Sequence, residues 1–205
     1  MALNAHSTPA LLRELNDALS LEGAGHVDWI VCGGTALALQ GMLSRTTQDV
    51  DVIAAWSASS LDVIGLRDFP PAVERAIDRV AAAHPELRAT GKRWVNLGPR
   101  RLLEFGLPAG CTRRLRALSI GPSLTLQLPD RIDLIAFKLF AAIDPRHERQ
   151  PVHKGDFEAL GPTEAELRFA IDWVLTIHDP NQELRTELRE FLLELGHDDH
   201  AYNLD

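Results

Sequence analysis

Two short runs of the chain gather residue types that could handle a phosphate and a divalent cation: Gly33-Gly34-Thr35 and Arg45-Thr46-Thr47-Gln48-Asp49-Val50-Asp51. Side chains alternate between the faces of a strand, so Asp49 and Asp51 are expected to share one face while Val50 and Val52 take the other. Two carboxylates in register repel each other unless a cation offsets them. Mg2+, held by one or two carboxylates together with substrate phosphates, suits that need. The paired glycines let backbone N–H groups at the start of a helix approach a phosphate closely, and Arg45 adds a planar positive fork. Singly these are weak signals, since Asp-Val-Asp also suits an exposed strand edge. Together they point to metal-assisted phosphate chemistry.

The elements that must position these residues can be read from periodicity and punctuation. Ser7-Thr8-Pro9 opens an amphipathic helix carrying Leu11, Leu12, Leu15 and Leu19, which ends at Gly23 and Gly25. Val27–Cys32 reads as a buried strand, Thr35–Gln40 as a helix and Val50–Ala54 as a second strand. Pro70-Pro71 starts a helix through Val73, Ile77 and Val80 to about Ala83. Strand-like pieces return at Trp94-Val95-Asn96, Leu115–Ile120 and Leu124–Leu128. After Pro129 the pattern is helical throughout. Asp130 caps a helix through Phe140, a short helix follows near Phe157, Thr163-x-x-Glu166 forms a capping box, and a last helix uses Leu184, Leu188, Phe191 and Leu192. The expected architecture is α/β (α+β): a mixed sheet flanked by helices over residues 1–128, then a helical part over 129–205.

The chain has 205 residues, 45% hydrophobic and 24% charged, with a mean hydropathy of −0.08. That composition argues against disorder, collagen-like repeats and coiled coil. Its longest apolar runs, such as Trp29–Cys32 and Leu134–Phe137, fall far short of the ~20 residues that cross a bilayer, so no membrane span is expected. The N-terminal Met-Ala-Leu-Asn-Ala-His lacks basic and apolar signal regions. Cys32 in an apolar run and Cys111 in a Gly/Pro loop make neither a disulfide framework nor a metal cluster. The cytoplasm is the expected compartment. The net charge of −8 conceals an asymmetry. Arg88 to Arg116 holds Arg88, Lys92, Arg93, Arg100, Arg101, Arg113, Arg114 and Arg116 against Glu104 alone, whereas the chain from Thr163 onward sets three arginines against eleven acids. The basic stretch is either a solvated loop-rich face or a shelf for a polyanion.

The run Val31-Cys32-Gly33-Gly34-Thr35-Ala36-Leu37-Ala38-Leu39, followed by Arg45-Thr46-x-x-Asp49-Val50-Asp51-Val52, resembles the signature of the polymerase-β-like nucleotidyltransferase superfamily. It is most similar to the AbiEii/MenA-type nucleotidyltransferase toxins and related bacterial proteins. Pro129-Asp130-Arg131-Ile132-Asp133-Leu134-Ile135-Ala136-Phe137-Lys138-Leu139 and Lys154-Gly155-Asp156-Phe157-Glu158-Ala159-Leu160 resemble two further segments of those toxins. The resemblance implies that Gly33, Gly34 and Thr35 hold nucleotide phosphates and that Asp49 and Asp51 bind Mg2+ (or Mn2+). It also implies that Lys138 contacts the triphosphate and that Asp156 completes the active site. Lys138 interrupts an apolar helix face, where an ammonium is costly without an anion to meet; the alternative is a lysine snorkelling at the helix edge. Asp156 has an alternative as the N-cap of the short helix at Phe157.

Two departures from the pattern stand out. Gly41-Met42-Leu43-Ser44 lengthens the loop before Arg45, and many superfamily members carry a third carboxylate on a central strand where Arg93-Trp94-Val95-Asn96 has none. Glu104 is the only acid nearby. His197-Asp198-Asp199-His200 is either a metal ligand set or, as its position after Gly196 favours, a solvated tail. His147 and His153 flank a Pro/Arg/Gln loop that is a lid or a linker.

The function expected is Mg2+-dependent transfer of a nucleoside monophosphate from an NTP to an acceptor hydroxyl. Arg45 and Lys138 would neutralise developing charge, and Arg93, Arg100, Arg101, Arg113 and Arg114 would seat the acceptor. The toxin resemblance makes tRNA the first acceptor considered and implies a neutralising antitoxin protein. The alternatives are a catalytically weak nucleotide- or partner-binding module, and a transferase acting on a protein or small-molecule hydroxyl.

Overall fold

The computed structural model describes residues 8–43, 47, 49–88, 93–146 and 150–204. The chain divides into two compact units, Met1–Asp130 and Arg131–Asp205.

In the first unit α1 (Thr8–Leu21) buries Leu11, Leu12, Leu15, Ala18 and Leu19, a stripe at helical spacing. β1 (Val27–Cys32), α2 (Gly33–Leu39), β2 (Val50–Ser57) and β3 (Asp62–Ile64) follow. After α3 (Pro71–Ala83) come β4 (Val95–Asn96), the short helices α4 (Leu102–Phe105) and α5 (Cys111–Arg114), and the hairpin β5 (Arg116–Gly121) and β6 (Leu124–Leu128). The sheet runs β3-β2-β1-β6-β5, with β4 also paired to β2. It is mixed: β1 pairs antiparallel with β2 but parallel with β6, and β4 lies parallel to β2.

Central β1 is buried over most of its length, and Trp29 packs on Phe69 with ring centroids 5.3 Å apart. Trp94 is buried on the way into β4, and its indole N–H donates to the Ile77 carbonyl of α3 at 3.1 Å. That bond satisfies the one polar atom of a large side chain while its ring fills the core. It also anchors the entry to β4, whose Val95 and Asn96 lie beside Val50 and Asp51.

The second unit is helical: α6 (Arg131–Ile143), α7 (Gln150–Leu160), α8 (Glu164–Leu175), α9 (Glu183–Glu194) and α10 (Asp198–Tyr202). α6 is its centre, buried continuously from Asp133 to Phe140. Phe137 and Phe140 meet Trp173 edge-on, and Phe157 meets Phe191 in the same way.

The expected capping box is present at α8: Thr163 Oγ1 accepts from the Glu166 N–H, and Glu166 accepts from the Thr163 N–H at 2.8 Å. Arg131 donates to Glu166 at 2.8 Å and to the Leu160 carbonyl at 2.7 Å, tying the start of α6 to the turn before α8.

Three local expectations are corrected. His197–His200 is not a solvated tail but enters α10, where His200 bonds Glu164 at 2.7 Å and Ala201 and Leu204 are buried. α7 begins at Gln150, so the loop expected between His147 and His153 is helical from Gln150 onward, and Asp156 is an interior residue rather than an N-cap. Cys111 starts a helical turn after Gly110, whose φ is +76°, instead of lying in a loop. His147 lies outside the described residues.

Burial alone would raise the Glu166 carboxyl, but the Thr163 N–H and the Arg131 guanidinium outweigh it and hold Glu166 below the usual carboxylate range. A depressed folded-state pKa contributes stability that is complete above the unfolded value and lost as pH falls through the folded one. Glu166→Gln is therefore expected to unfold at lower denaturant than the wild type at neutral pH, with the gap closing as the solution is acidified below about 4. Urea titrations at several pH values check this.

Candidate functional site

The first cluster forms where β1 ends beside the start of β2. Their antiparallel register, shifted by an irregularity at Ile30/Val31, sets Cys32 opposite Asp51. From extended Cys32 (φ −133°) the chain turns into α2 within one residue, Gly33, at φ +68°. Such a φ suits glycine and strains any other residue. A second reason also demands glycine: a Cβ built at residue 33 would lie 2.2 Å from Asp51 Oδ2. The Asp51 carboxylate thus stands directly against the Gly33 backbone.

Val50 and Val52 are fully buried while Asp49, Asp51, Gly33 and Gly34 are half-buried, which is the alternation expected for two carboxylates sharing a face. Asp49 precedes the strand by one residue. Its carbonyl accepts from Thr35 Oγ1 at 2.8 Å and from Thr47 Oγ1 at 3.3 Å. Thr35, read from the sequence as part of a phosphate cradle, has a different place: it is fully buried, and its hydroxyl holds Asp49 rather than facing outward. On the other side of β2, Asn96 Nδ2 donates to Asp51 Oδ1 at 3.1 Å. Arg45 lies outside the described residues.

Asp49 and Asp51, part-exposed and separated by Val50, are oxygen donors of the type that a divalent cation takes, and Asp51 fills the space that a Cβ at 33 would occupy. Among the described residues no group of three or more His, Cys, Asp or Glu could hold a metal.

The second cluster lies within the helical unit, where Lys138 of α6 and Asp156 of α7 meet. Lys138 Nζ donates to Asp156 Oδ2 at 2.6 Å with both side chains nearly buried, and Nζ lies 3.2 Å from His153 Nδ1. The anion that the Lys138 ammonium meets in this structure is the Asp156 carboxylate. The snorkelling alternative is excluded by the side chain's 4% exposure. His153 is the member that sequence reading missed; its i, i+3 spacing to Asp156 on a helix was the available signal.

The arginines expected to seat an acceptor have local partners. Arg93 binds Glu74 at 2.8 Å and Asp78 at 3.1 Å, and these bonds hold its guanidinium above the usual arginine value. Arg100 donates to the Arg67 carbonyl and Arg114 to the Ala109 carbonyl, while Arg101 lies over the Phe105 ring at 5.7 Å. Arg113 is exposed on α5. Lys92 lies outside the described residues.

A mixed sheet flanked by helices, with a Gly-Gly turn set against an acidic strand start, defines a nucleotidyltransferase-like fold. The chain belongs to the family described as "Nucleotidyltransferase of unknown function (DUF6036)", whose profile matches residues 10–155. Membership supports a transferase at the general level of the family, with an NTP as the substrate class that the family implies. Among solved structures it is similar to an antigenic nucleotidyltransferase-like protein from Paracoccidioides brasiliensis, at 14% identity and a TM-score of 0.50, over 98% of this chain and 94% of that one. At that identity the likeness is one of fold. No curated protein matches the chain. No helix among the described residues is long and apolar enough to cross a membrane.

Two stability outcomes follow from this geometry. Gly33→Ala combines a left-handed φ with a clash against Asp51 and is expected to cost about 2 kcal/mol or more in chemical denaturation. Lys138→Met takes the ammonium away from a buried carboxylate and is expected to cost about 3–5 kcal/mol, most of it recovered in Lys138→Met/Asp156→Leu; an unrecovered double variant would contradict the pairing.

Proposed function

We propose that the chain transfers a nucleoside monophosphate from an NTP to an acceptor hydroxyl and releases pyrophosphate, with Asp49 and Asp51 holding Mg2+ or Mn2+. The observation that carries this reading is the Asp51 carboxylate packed against the Gly33 backbone beside Asp49, in a member of a nucleotidyltransferase family. When bound, the cation supplies charge neutralisation on the triphosphate. The chain's own residues do the positioning. Gly33 and Gly34 offer backbone without side chains to the phosphates, Thr35 and Thr47 fix Asp49 through its carbonyl, and Asn96 orients Asp51. Arg45 is assigned the charge developing on the leaving pyrophosphate, and within the helical unit Asp156 orients the Lys138 ammonium. The acceptor hydroxyl loses its proton to solvent and its oxygen bonds the α-phosphorus as the α–β anhydride breaks and pyrophosphate leaves, and placement with electrostatics accounts for the acceleration.

For the acceptor we propose tRNA, supported by the positive surplus between Arg88 and Arg116. A second reading, a protein or small-molecule hydroxyl, is favoured by Arg93, which is engaged with Glu74 and Asp78. The setting proposed is cytoplasmic, in keeping with Cys32 and Cys111 as buried thiols outside any disulfide. A toxin role neutralised by an antitoxin partner rests on the sequence resemblance.

The test incubates the purified chain with Mg2+, total bacterial tRNA and each α-labelled NTP in turn. Label is expected on tRNA with one preferred nucleotide, and Asp49→Asn or Asp51→Asn is expected to reduce transfer by about a hundredfold or more. Magnesium-dependent pyrophosphate release without tRNA labelling moves the acceptor to the second reading. No pyrophosphate release with any acceptor overturns the transferase and leaves a binding module.

A further inference from the structure

We propose that Asn96 is a positioning residue that limits the Asp49–Asp51 site to one divalent cation; this rests on the metal-assisted reading of that site. β4 runs parallel to β2 with Asn96 as the register partner of Asp51, so the side chain at 96 is a direct cross-strand neighbour of that carboxylate. Both ends of the amide are committed. Its Oδ1 accepts from the Gly98 N–H at 2.8 Å, and its Nδ2 donates to Asp51 Oδ1 at 3.1 Å. An N–H donor can face only the oxygen, so the Gly98 bond decides which end of the amide points at Asp51. Residue 98 is glycine where a Cβ would lie 2.8 Å from Asn96 Oδ1, which keeps this orientation open.

The charge count follows from that orientation. Where an acid would add a third negative charge beside Asp49 and Asp51, the neutral Asn96 adds none. An aspartate at 96 in the same rotamer would keep the Gly98 bond and put an anionic oxygen where Nδ2 stands, 3.1 Å from Asp51 Oδ1. Three carboxylates so close need a proton or a second cation to relieve their repulsion. Asn96 does the opposite. It gives Asp51 a donor, occupies one lone pair of Asp51 Oδ1, and adds no charge.

The test is Mn2+ binding to the full chain without nucleotide, up to millimolar concentration, read by the electron paramagnetic resonance signal of unbound ion and by calorimetry. Expected are one ion for the wild type and none for Asp51→Asn. Asn96→Asp should bind two ions, or one at least about tenfold tighter, and Asn96→Ala one ion about tenfold more weakly at a little-changed unfolding midpoint. Two ions in the wild type, or one ion at wild-type affinity in Asn96→Asp, overturns the assignment to Asn96 while leaving the metal reading standing. No ion in either overturns the metal reading itself, and this proposal with it. Should Asn96→Asp fail to fold, Asn96→Ala decides: unchanged affinity overturns the proposal and weakened affinity supports it.

Discussion

The geometry of the first unit depends on one steric fact: there is no room for a side chain at residue 33. The β1–β2 register brings Cys32 opposite Asp51, and the chain must then leave the sheet for α2 within a single residue. Glycine is required once by its backbone angle and again by the Asp51 carboxylate that occupies the space of the missing Cβ. Neighbouring bonds hold the acidic segment in that position. Thr35 reaches from α2 to the Asp49 carbonyl, Thr47 reaches the same atom from the preceding residues, and Asn96 holds the Asp51 side chain from β4. Thus Asp49 is located through its backbone and Asp51 through its carboxylate. The side chain of Asp49 is not what Thr35 and Thr47 hold.

The helical unit poses a different energetic question. Lys138 and Asp156 are a nearly fully buried ion pair on helices whose other inward residues are mostly apolar. Replacing such a pair with well-packed apolar residues is often neutral or stabilising, because the attraction between the charges does little more than repay their desolvation. Phe137, Leu139 and Phe140 surround Lys138 in sequence and are themselves buried, so an apolar residue at 138 would be in keeping with its neighbours. The pair is therefore poorly accounted for by stability alone. His153, 3.2 Å from the same nitrogen, belongs to this polar group rather than to a loop.

What could be read from sequence was what depends on near neighbours. Period-two and period-3.6 patterns located β1, α3 and β6, and the spacing of Thr163 and Glu166 announced a cap whose two bonds are both made. The Gly-Gly turn and the alternating Asp49 and Asp51 were legible for the same reason. Contacts between distant segments were not. The bond from Asn96 to Asp51 spans 45 residues and exists because β4 pairs in parallel with β2, which no local pattern in a two-residue strand announces. Thr35 next to two glycines reads as a phosphate ligand until the position of Asp49, fourteen residues later, gives its hydroxyl another acceptor. β3 is short and largely exposed, without the alternation that marks a strand. α7 was underestimated because Pro151 reads as a loop residue, although proline is tolerated in the first turn of a helix.

Whether the arginine-rich stretch can meet a polyanion turns on the kind of partner each arginine has. An ion pair with a carboxylate cancels charge at a distance, as Glu74 and Asp78 do for Arg93. A bond to a neutral carbonyl, or a position over a ring, orients the guanidinium and leaves its charge whole. Arg100 and Arg101 are of this second kind, so their positive field survives the folding of the chain even though their side chains are engaged. The Arg93 pairs are solvent-exposed, and exposed pairs contribute only about 0–1 kcal/mol, so they are weak competitors against a backbone of closely spaced phosphates. A counted surplus of arginines thus overstates the field at Arg93 and states it fairly at Arg100 and Arg101. These two are where sensitivity to salt should originate if the acceptor is a nucleic acid.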